Sequence, residues 1–442
     1  MSKKVAILGA SVGGLVAASE LVAQGFNVDV FEKGKAVGGL FNKIETPFGL
    51  QELGMHVLYA GPRHHELMTK IFGPDAFDVL TGVKVDVGAC SNFDKTFFNS
   101  MYPNLIGHTD QQAILDEIIE SGNATFAAES ALQEAQRRFG KTAAQNIVGP
   151  ILEKLWLNPA EQLTPGALYC FYDLRRLVVC EKHRADELKA DPRLDDVIAN
   201  PDQLHPFGEI FGGRMALLIR DEAAKQLNEK ARAWAELNNV GLELSCDITV
   251  NDGRIEAGGR DVTEEYDSII ISLPLHSLAS GLMDSADRLE LSIYYFELDG
   301  RIGVNFPAYY SLAHDPALKS SRIVNYDGYN KINNTSENSV FSVEVIHPAN
   351  EPPENTTIAE EITRVVPQAQ IVDSYRLERT VGVYPPTRGN AEILDRFQKT
   401  IQDSRDMPVY FTGMRTDKGI FFSHDTIGLA HEAALEISGK QS

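Results

Sequence analysis

Four consecutive apolar residues, Val5, Ala6, Ile7 and Leu8, stop at Gly9, as in a strand covered on both faces of a parallel sheet. Leu15, Ala18 and Val22 then recur at helical spacing, and a second apolar run opens at Val28 after Gly25. Residues 3–32 are therefore expected to fold as strand, glycine turn, helix and strand. From 61 to about 206 the period is mostly helical, with helices expected over 64–72, 111–121, 130–139, 142–155 and 165–177. Residues 181–206 are charged and proline-containing, which reads as an exposed loop or lid. A long helical run follows FGGRM (211–215) as far as Leu237, residues 242–248 and 253–257 alternate like paired strands, and YDSIIISLP (266–274) reads as a buried strand ended by proline. Across 289–374 several runs alternate apolar and polar residues, among them RIGVNF (301–306), SRIVNY (321–326) and VFSVEVI (340–346). They predict an antiparallel sheet with one solvated or ligand-facing side. PVYFTG (408–413) is a last strand ending in glycine, and a helix closes the pattern.

The first turn carries the clearest chemistry. Gly9 permits a tight bend, Gly13 and Gly14 let backbone and helix pack closely, and the amides at the helix start attract an anion. Glu32 ends the second strand, where a carboxylate suits two ribose hydroxyls and repels a 2′-phosphate. FAD or NAD is therefore expected before NADP, with Lys33 and Lys35 acting in the opposite sense. Ser11 stands where the second glycine of G-x-G-x-x-G belongs. Its Cβ narrows the approach of a pyrophosphate, while its hydroxyl is able to donate to a phosphate oxygen.

Residues 33–40 read KGKAVGGL and residues 51–60 read QELGMHVLYA. With the turn and Glu32, these runs resemble the flavoprotein superfamily that contains amine oxidases, protoporphyrinogen oxidases, phytoene desaturases and UDP-galactopyranose mutases. The resemblance implies FAD, with Gly38 and Gly39 along the dinucleotide and Lys33 and Leu40 on either side of that segment; Leu40 and Phe41 replace a usual arginine. It aligns Gly54, Met55 and His56 with a G-x-H run that approaches the isoalloxazine. It places a residue near Ile248 against the adenine, a plain strand position being the alternative. Gly413, Met414 and Arg415 resemble the G-R ending of the mutases, and Asp425, Thr426 and Ile427 their acidic turn. Residues 137–165 resemble the superfamily's helical insertion, with Trp156 either near a nucleotide substrate or in the core. Ser321-Arg322-Ile323 with Tyr326, and Val383-Tyr384-Pro385, resemble the T-R-I and Y-P stretches of the mutases. His56, Arg322 and Tyr384 are thus the substrate-side candidates. Arg322 either holds a carboxylate or phosphate through bidentate contacts or pairs with an acid at the surface.

The implied fold is α/β: a discontinuous Rossmann-type FAD-binding domain (1–60, 207–285 and 400–442), a helical substrate or lid segment (61–206) and an antiparallel-sheet substrate domain (286–399). With 442 residues the chain is long enough for two or three real cores. The net charge of −21, spread along the chain, disfavours nucleic acid and anionic membrane surfaces. An anionic substrate then needs a local basic pocket working against the overall field. No apolar run is long enough to span a membrane and no signal segment precedes the first strand, so a cytoplasmic protein is expected. Cys90, Cys170, Cys180 and Cys246 are scattered, which favours buried free thiols over zinc or a redox pair, and His64–His65 reads as a solvated helix start.

These features point to a FAD enzyme that removes a hydride from a C–N or C–C bond of a small molecule. A mutase-like, redox-neutral isomerase of nucleotide sugars is the alternative, and a flavin-binding protein without turnover is the third reading. Non-covalent flavin is expected. The substrate, electron acceptor and oligomeric state are not legible.

Overall fold

The computed structural model describes residues 3–54, 57–79, 87–90, 102–121, 124–201, 215–279, 281–305, 309–329, 337–378, 381–404 and 407–439. A five-stranded parallel sheet forms one layer, in the spatial order Val409–Phe411, Ser268–Ile271, Lys4–Leu8, Asn27–Glu32, Gly241–Leu244. Ile7 pairs with Ile270 on one side and Val30 on the other. Side chains alternate across the first strand. Val5 and Ile7 face a core shared with the helices Val12–Ala23, Pro62–Phe72 and Ser423–Ile437, whereas Ala6 and Leu8 face one shared with Leu394, Phe397 and Ile401 of the helix Arg388–Asp403. Burial on both faces explains the unbroken apolar run.

The second sheet is mostly antiparallel, in the order Ile371–Arg376, Leu289–Leu298, Ser339–Pro348, Arg322–Asn325, Tyr310–Ala313, Val87–Cys90; the last pair runs parallel, and Val381–Val383 adds to the start of Leu289–Leu298. One face, with Tyr294, Phe296, Val343 and Val345, packs on Ile358 and Ile362 of the helix Asn355–Val365. The opposite face, with Ile293, Tyr295 and Val324, packs against the helical segment. That face also carries Leu291, Arg322 and Glu344, which line a cavity, so of the two expected alternatives the ligand-facing side is the one that fits.

Several expected elements differ. Residues 165–177 form only a single turn, Pro165–Tyr169, before an irregular buried stretch in which Phe171 has φ +67°. Tertiary packing dictates this: a Cβ at Gly166 would lie 2.6 Å from the Asp417 carbonyl oxygen. Residues 181–201 are not an exposed loop but hold the helices Lys182–Leu188 and Pro192–Asp195, with Val197, Ile198 and Ala199 buried. The helix expected over 142–155 runs from Lys141 to Trp156 with a widened turn at Ala144–Val148. The run 301–306 is a turn, Ile302–Asn305, instead of a strand. After residue 214 the chain first makes the strand Met215–Ile219, antiparallel to Leu58–Ala60 and Phe77–Val79, and only then the helices Asp221–Lys225 and Leu227–Leu237. Gly241–Leu244 joins the parallel sheet, leaving Ile248–Asn251 and Arg254–Ala257 as the hairpin. Pro62–Phe72 and Arg388–Asp403 both pack on the parallel sheet.

Cys170, Cys180 and Cys246 are buried free thiols. Among the described residues no helix is long and apolar enough to cross a membrane.

Candidate active site

The glycine turn is held by backbone geometry. Gly9 has φ +110°, a conformation that glycine reaches without strain. A Cβ at Gly14 would collide with the Gly9 carbonyl oxygen, and one at Gly13 would sit 3.0 Å from the Thr426 carbonyl oxygen. These two glycines serve close packing, Gly14 onto the first strand and Gly13 onto the helix Ser423–Ile437. Ser11 caps the first helix by accepting from the Gly14 amide at 3.1 Å, and its hydroxyl is 2.5 Å from that of Ser272. The Glu32 carboxylate accepts from the amides of Ala10 (2.7 Å) and Gly34 (2.6 Å), tying the second strand to the turn.

The second glycine pair lies beside the first. The Gly38 amide donates to the Ala10 carbonyl at 2.7 Å, and among the described residues, chain neighbours aside, no atom lies within 4 Å of the place a Cβ would take at Gly39 or Gly54. Lys33 is exposed and donates to the Ser277 carbonyl. Ile248 is 2% exposed, its side chain packed with Phe31 in the apolar core. Met55 and His56 lie outside the described residues.

The last strand reaches the same place. A Cβ at Gly413 would collide with the Leu273 carbonyl, so the chain leaves the sheet tightly against its neighbour. Asp425 accepts from the Phe422 amide at 3.0 Å and Thr426 Oγ1 donates to the Ser423 carbonyl, which together cap the closing helix; Ile427 is buried.

Between the two sheets lies a cavity of about 1360 Å³, its open mouth included. Leu40, Gly54, Arg322, Tyr384, Met414 and Arg415 all line it, so six of the residues singled out in the sequence meet there. Most of the remaining wall is apolar, including Leu53, Val57, Phe171, Leu291 and Phe421. Both arginines are already engaged. Arg322 Nη2 donates to both Glu344 oxygens (2.6 and 2.8 Å) and to the Gly54 carbonyl (2.9 Å), with its guanidinium over the Phe171 ring. Glu344 is fully buried, so this pair lies inside the protein and not at the surface. Arg415 is 5% exposed and donates to both oxygens of Asp417 (2.8 and 2.7 Å), to Asp395 (2.9 Å) and to Gln398. Burial opposes its charge, but the carboxylates of Asp417 and Asp395 outweigh this and raise its pKa.

The Tyr384 ring lies 4.7 Å from that of His276, tilted by 41° to it, and burial pushes the His276 pKa down to about 4. Tyr59 and Tyr309 share a hydrogen bond of 2.8 Å between their hydroxyls. Sequence reasoning missed His276, Glu344 and Asp417. Glu344 had a signal, a lone carboxylate in an otherwise apolar strand pattern; His276 had none beyond following Pro274. Trp156 is fully buried in the core beside the helical segment and does not line the cavity. His64 and His65 stand in the first turn of Pro62–Phe72, as expected, but half-buried: the His64 ring is 3.1 Å from that of His431, which reaches Glu20.

The comparisons with known proteins agree with this architecture. A family model described as an NAD(P)-binding Rossmann-like domain matches residues 7–72. A zeta-carotene-forming phytoene desaturase from Myxococcus xanthus is 34% identical over 84 residues, 19% of this chain and 16% of that protein, so the match spans a small part of the relative's length. Among solved structures, reduced UDP-galactopyranose mutase superimposes with a TM-score of 0.66 at 16% identity, covering 99% of this chain and 94% of that one. Putrescine oxidase bound to putrescine gives 0.55 at 14% identity, covering all of both chains. With the glycine turn, the second glycine pair and the returning last strand in one layer, the chain shares the fold of these two solved structures.

Proposed function

We propose that this protein is a FAD-dependent oxidoreductase that removes a hydride from a C–N or C–C bond of an uncharged, largely apolar small molecule. The residues fit the cofactor: open space runs beyond Gly39 and Gly54, and the cavity begins at Leu40, Leu53 and Gly54. Gly9 through Gly14, Glu32 and the start of the closing helix at Asp425–Ile427 would hold the dinucleotide, with the helix dipole turned toward its phosphates. When bound, the flavin supplies the two-electron acceptor. The cavity excludes water from the reacting bond and orients the substrate through its apolar walls.

The observation that carries this reading is the state of the arginines. A nucleotide-sugar diphosphate needs free guanidinium groups, yet Arg322 and Arg415 are each neutralised by a buried carboxylate. Breaking either pair to admit a diphosphate would strand Glu344 or Asp417. The mutase-type isomerase is therefore the weaker reading.

The test is the absorption spectrum of the purified protein before and after dithionite, followed by titration with UDP-galactose. A flavin spectrum that bleaches with dithionite and ignores the sugar nucleotide in both redox states is the expected result. A shift of the reduced spectrum on adding UDP-galactose would overturn the oxidoreductase assignment in favour of the isomerase. A spectrum that no reductant bleaches would leave a flavin carrier without turnover, and absence of bound flavin after FAD addition would remove the cofactor.

A further inference from the structure

The ionisable groups in the cavity wall are mostly committed. Arg322 is held by Glu344, Arg415 by Asp417 and Asp395, and the hydroxyls of Tyr59 and Tyr309 bond each other. His276 differs: it lines the cavity, and its ring nitrogens make no hydrogen bond or ion pair among the described residues. Its backbone is fixed by the tight turn Leu275–Ser277 after Pro274, with the Ser277 hydroxyl donating to the Pro274 carbonyl and Lys33 gripping the Ser277 carbonyl. Tyr384 supports one side of the ring.

We propose that His276 is the residue that accepts the substrate's proton. The inference rests on the oxidoreductase reading. Oxidation of a C–N or C–C bond to a double bond removes two hydrogens. One would leave with its electron pair as hydride, for which a bound oxidised flavin would supply the two-electron acceptor; the other leaves as a proton. The electron pair of the second broken bond becomes the new π bond, and the imidazole lone pair takes the proton. Such a residue must be neutral, free of other polar partners and on the cavity wall; His276 lines the cavity and has no polar partner among the described residues. Burial is what depresses its basicity; Arg415 and Asp417, which line the same cavity, do not enter the balance. A weak base suffices here, because the proton next to a carbon that has lost hydride is strongly acidic.

Sodium benzoate provides the test, as an aromatic anion that needs a counter-charge in a cavity whose arginines are spent. Calorimetric titration of the flavin-loaded protein at pH 7, in two buffers of different ionisation enthalpy, should show uptake of about one proton per benzoate bound. Affinity should fall about tenfold per pH unit between pH 5 and 8, because each benzoate must bring a proton for His276. In His276→Gln and His276→Phe the uptake should vanish and the pH slope flatten. Wild-type binding without proton uptake, uptake that persists in both variants, or no benzoate binding would each overturn the assignment. Failure of the underlying reading is separately visible, as a protein that takes up no flavin.

Discussion

The glycine turn and the cavity are built on opposite principles. At the turn, constraint is backbone against backbone: Gly14 rests on the Gly9 carbonyl and Gly13 on that of Thr426. In the cavity, constraint is charge against charge between distant segments, Arg322 with Glu344 and Arg415 with Asp395 and Asp417. A site of the first kind tolerates no added atom, whereas one of the second kind tolerates no lost partner.

This contrast is most sharply tested by Arg322→Ala, which leaves Glu344 buried and uncompensated. A loss of about 3–5 kcal/mol is expected in denaturant melts. The double variant Arg322→Met/Glu344→Leu should recover most of it, and if it does not, the pair is not held by charge balance. Next in size is Gly14→Ala, for which overpacking should cost about 1–3 kcal/mol and lower FAD retention together with stability. The collision is with the first strand, so a larger residue such as Gly14→Glu acts by unseating the helix instead of by repelling a pyrophosphate. FAD retention at wild-type stability in Gly14→Ala would contradict the packing role. Ser11→Ala removes the cap of the first helix and should cost about 1 kcal/mol in a thermal melt.

A further test concerns acid. His276 and His314 have pKa values pushed down by burial, to about 4 and about 3, below the ordinary histidine value that applies on unfolding. Between pH 6.5 and 4 the unfolded chain therefore binds more protons, and stability falls as pH drops through that window. His314→Gln combined with His276→Gln should flatten the melting temperature over the same range. An unchanged slope would show that other groups govern the acid limb.

Legibility followed the same divide. The turn, both glycine pairs and the last strand were readable because short-range patterns encode them: an apolar run, a glycine at fixed spacing, an acid at the next strand's end. The five strands of the parallel sheet come from four separated segments; each carried a strand signal, but that of Gly241–Leu244 pointed to the wrong partner. The cavity was half readable. Arg322 and Tyr384 were found, but not that Glu344, on the neighbouring strand in register with Arg322, spends the arginine's charge. Register between strands is a tertiary property that no local pattern contains. The missing helix at 170–177 has the same cause, since Gly166 is pressed on Asp417 and Gly419 by a contact some 250 positions away.

The close approach of Gly13 to Thr426 has a consequence for biosynthesis. The first helix emerges from the ribosome early, but the partner that covers it, and the strand Val409–Phe411 that completes its sheet, are translated only after about 400 residues. The nascent first domain must therefore wait with an open edge and an uncovered apolar helix face, a situation in which slow, long-range closure favours chaperone engagement. Truncations that remove Ser423–Ile437 should accordingly yield insoluble protein, even though every glycine of the turn is still present.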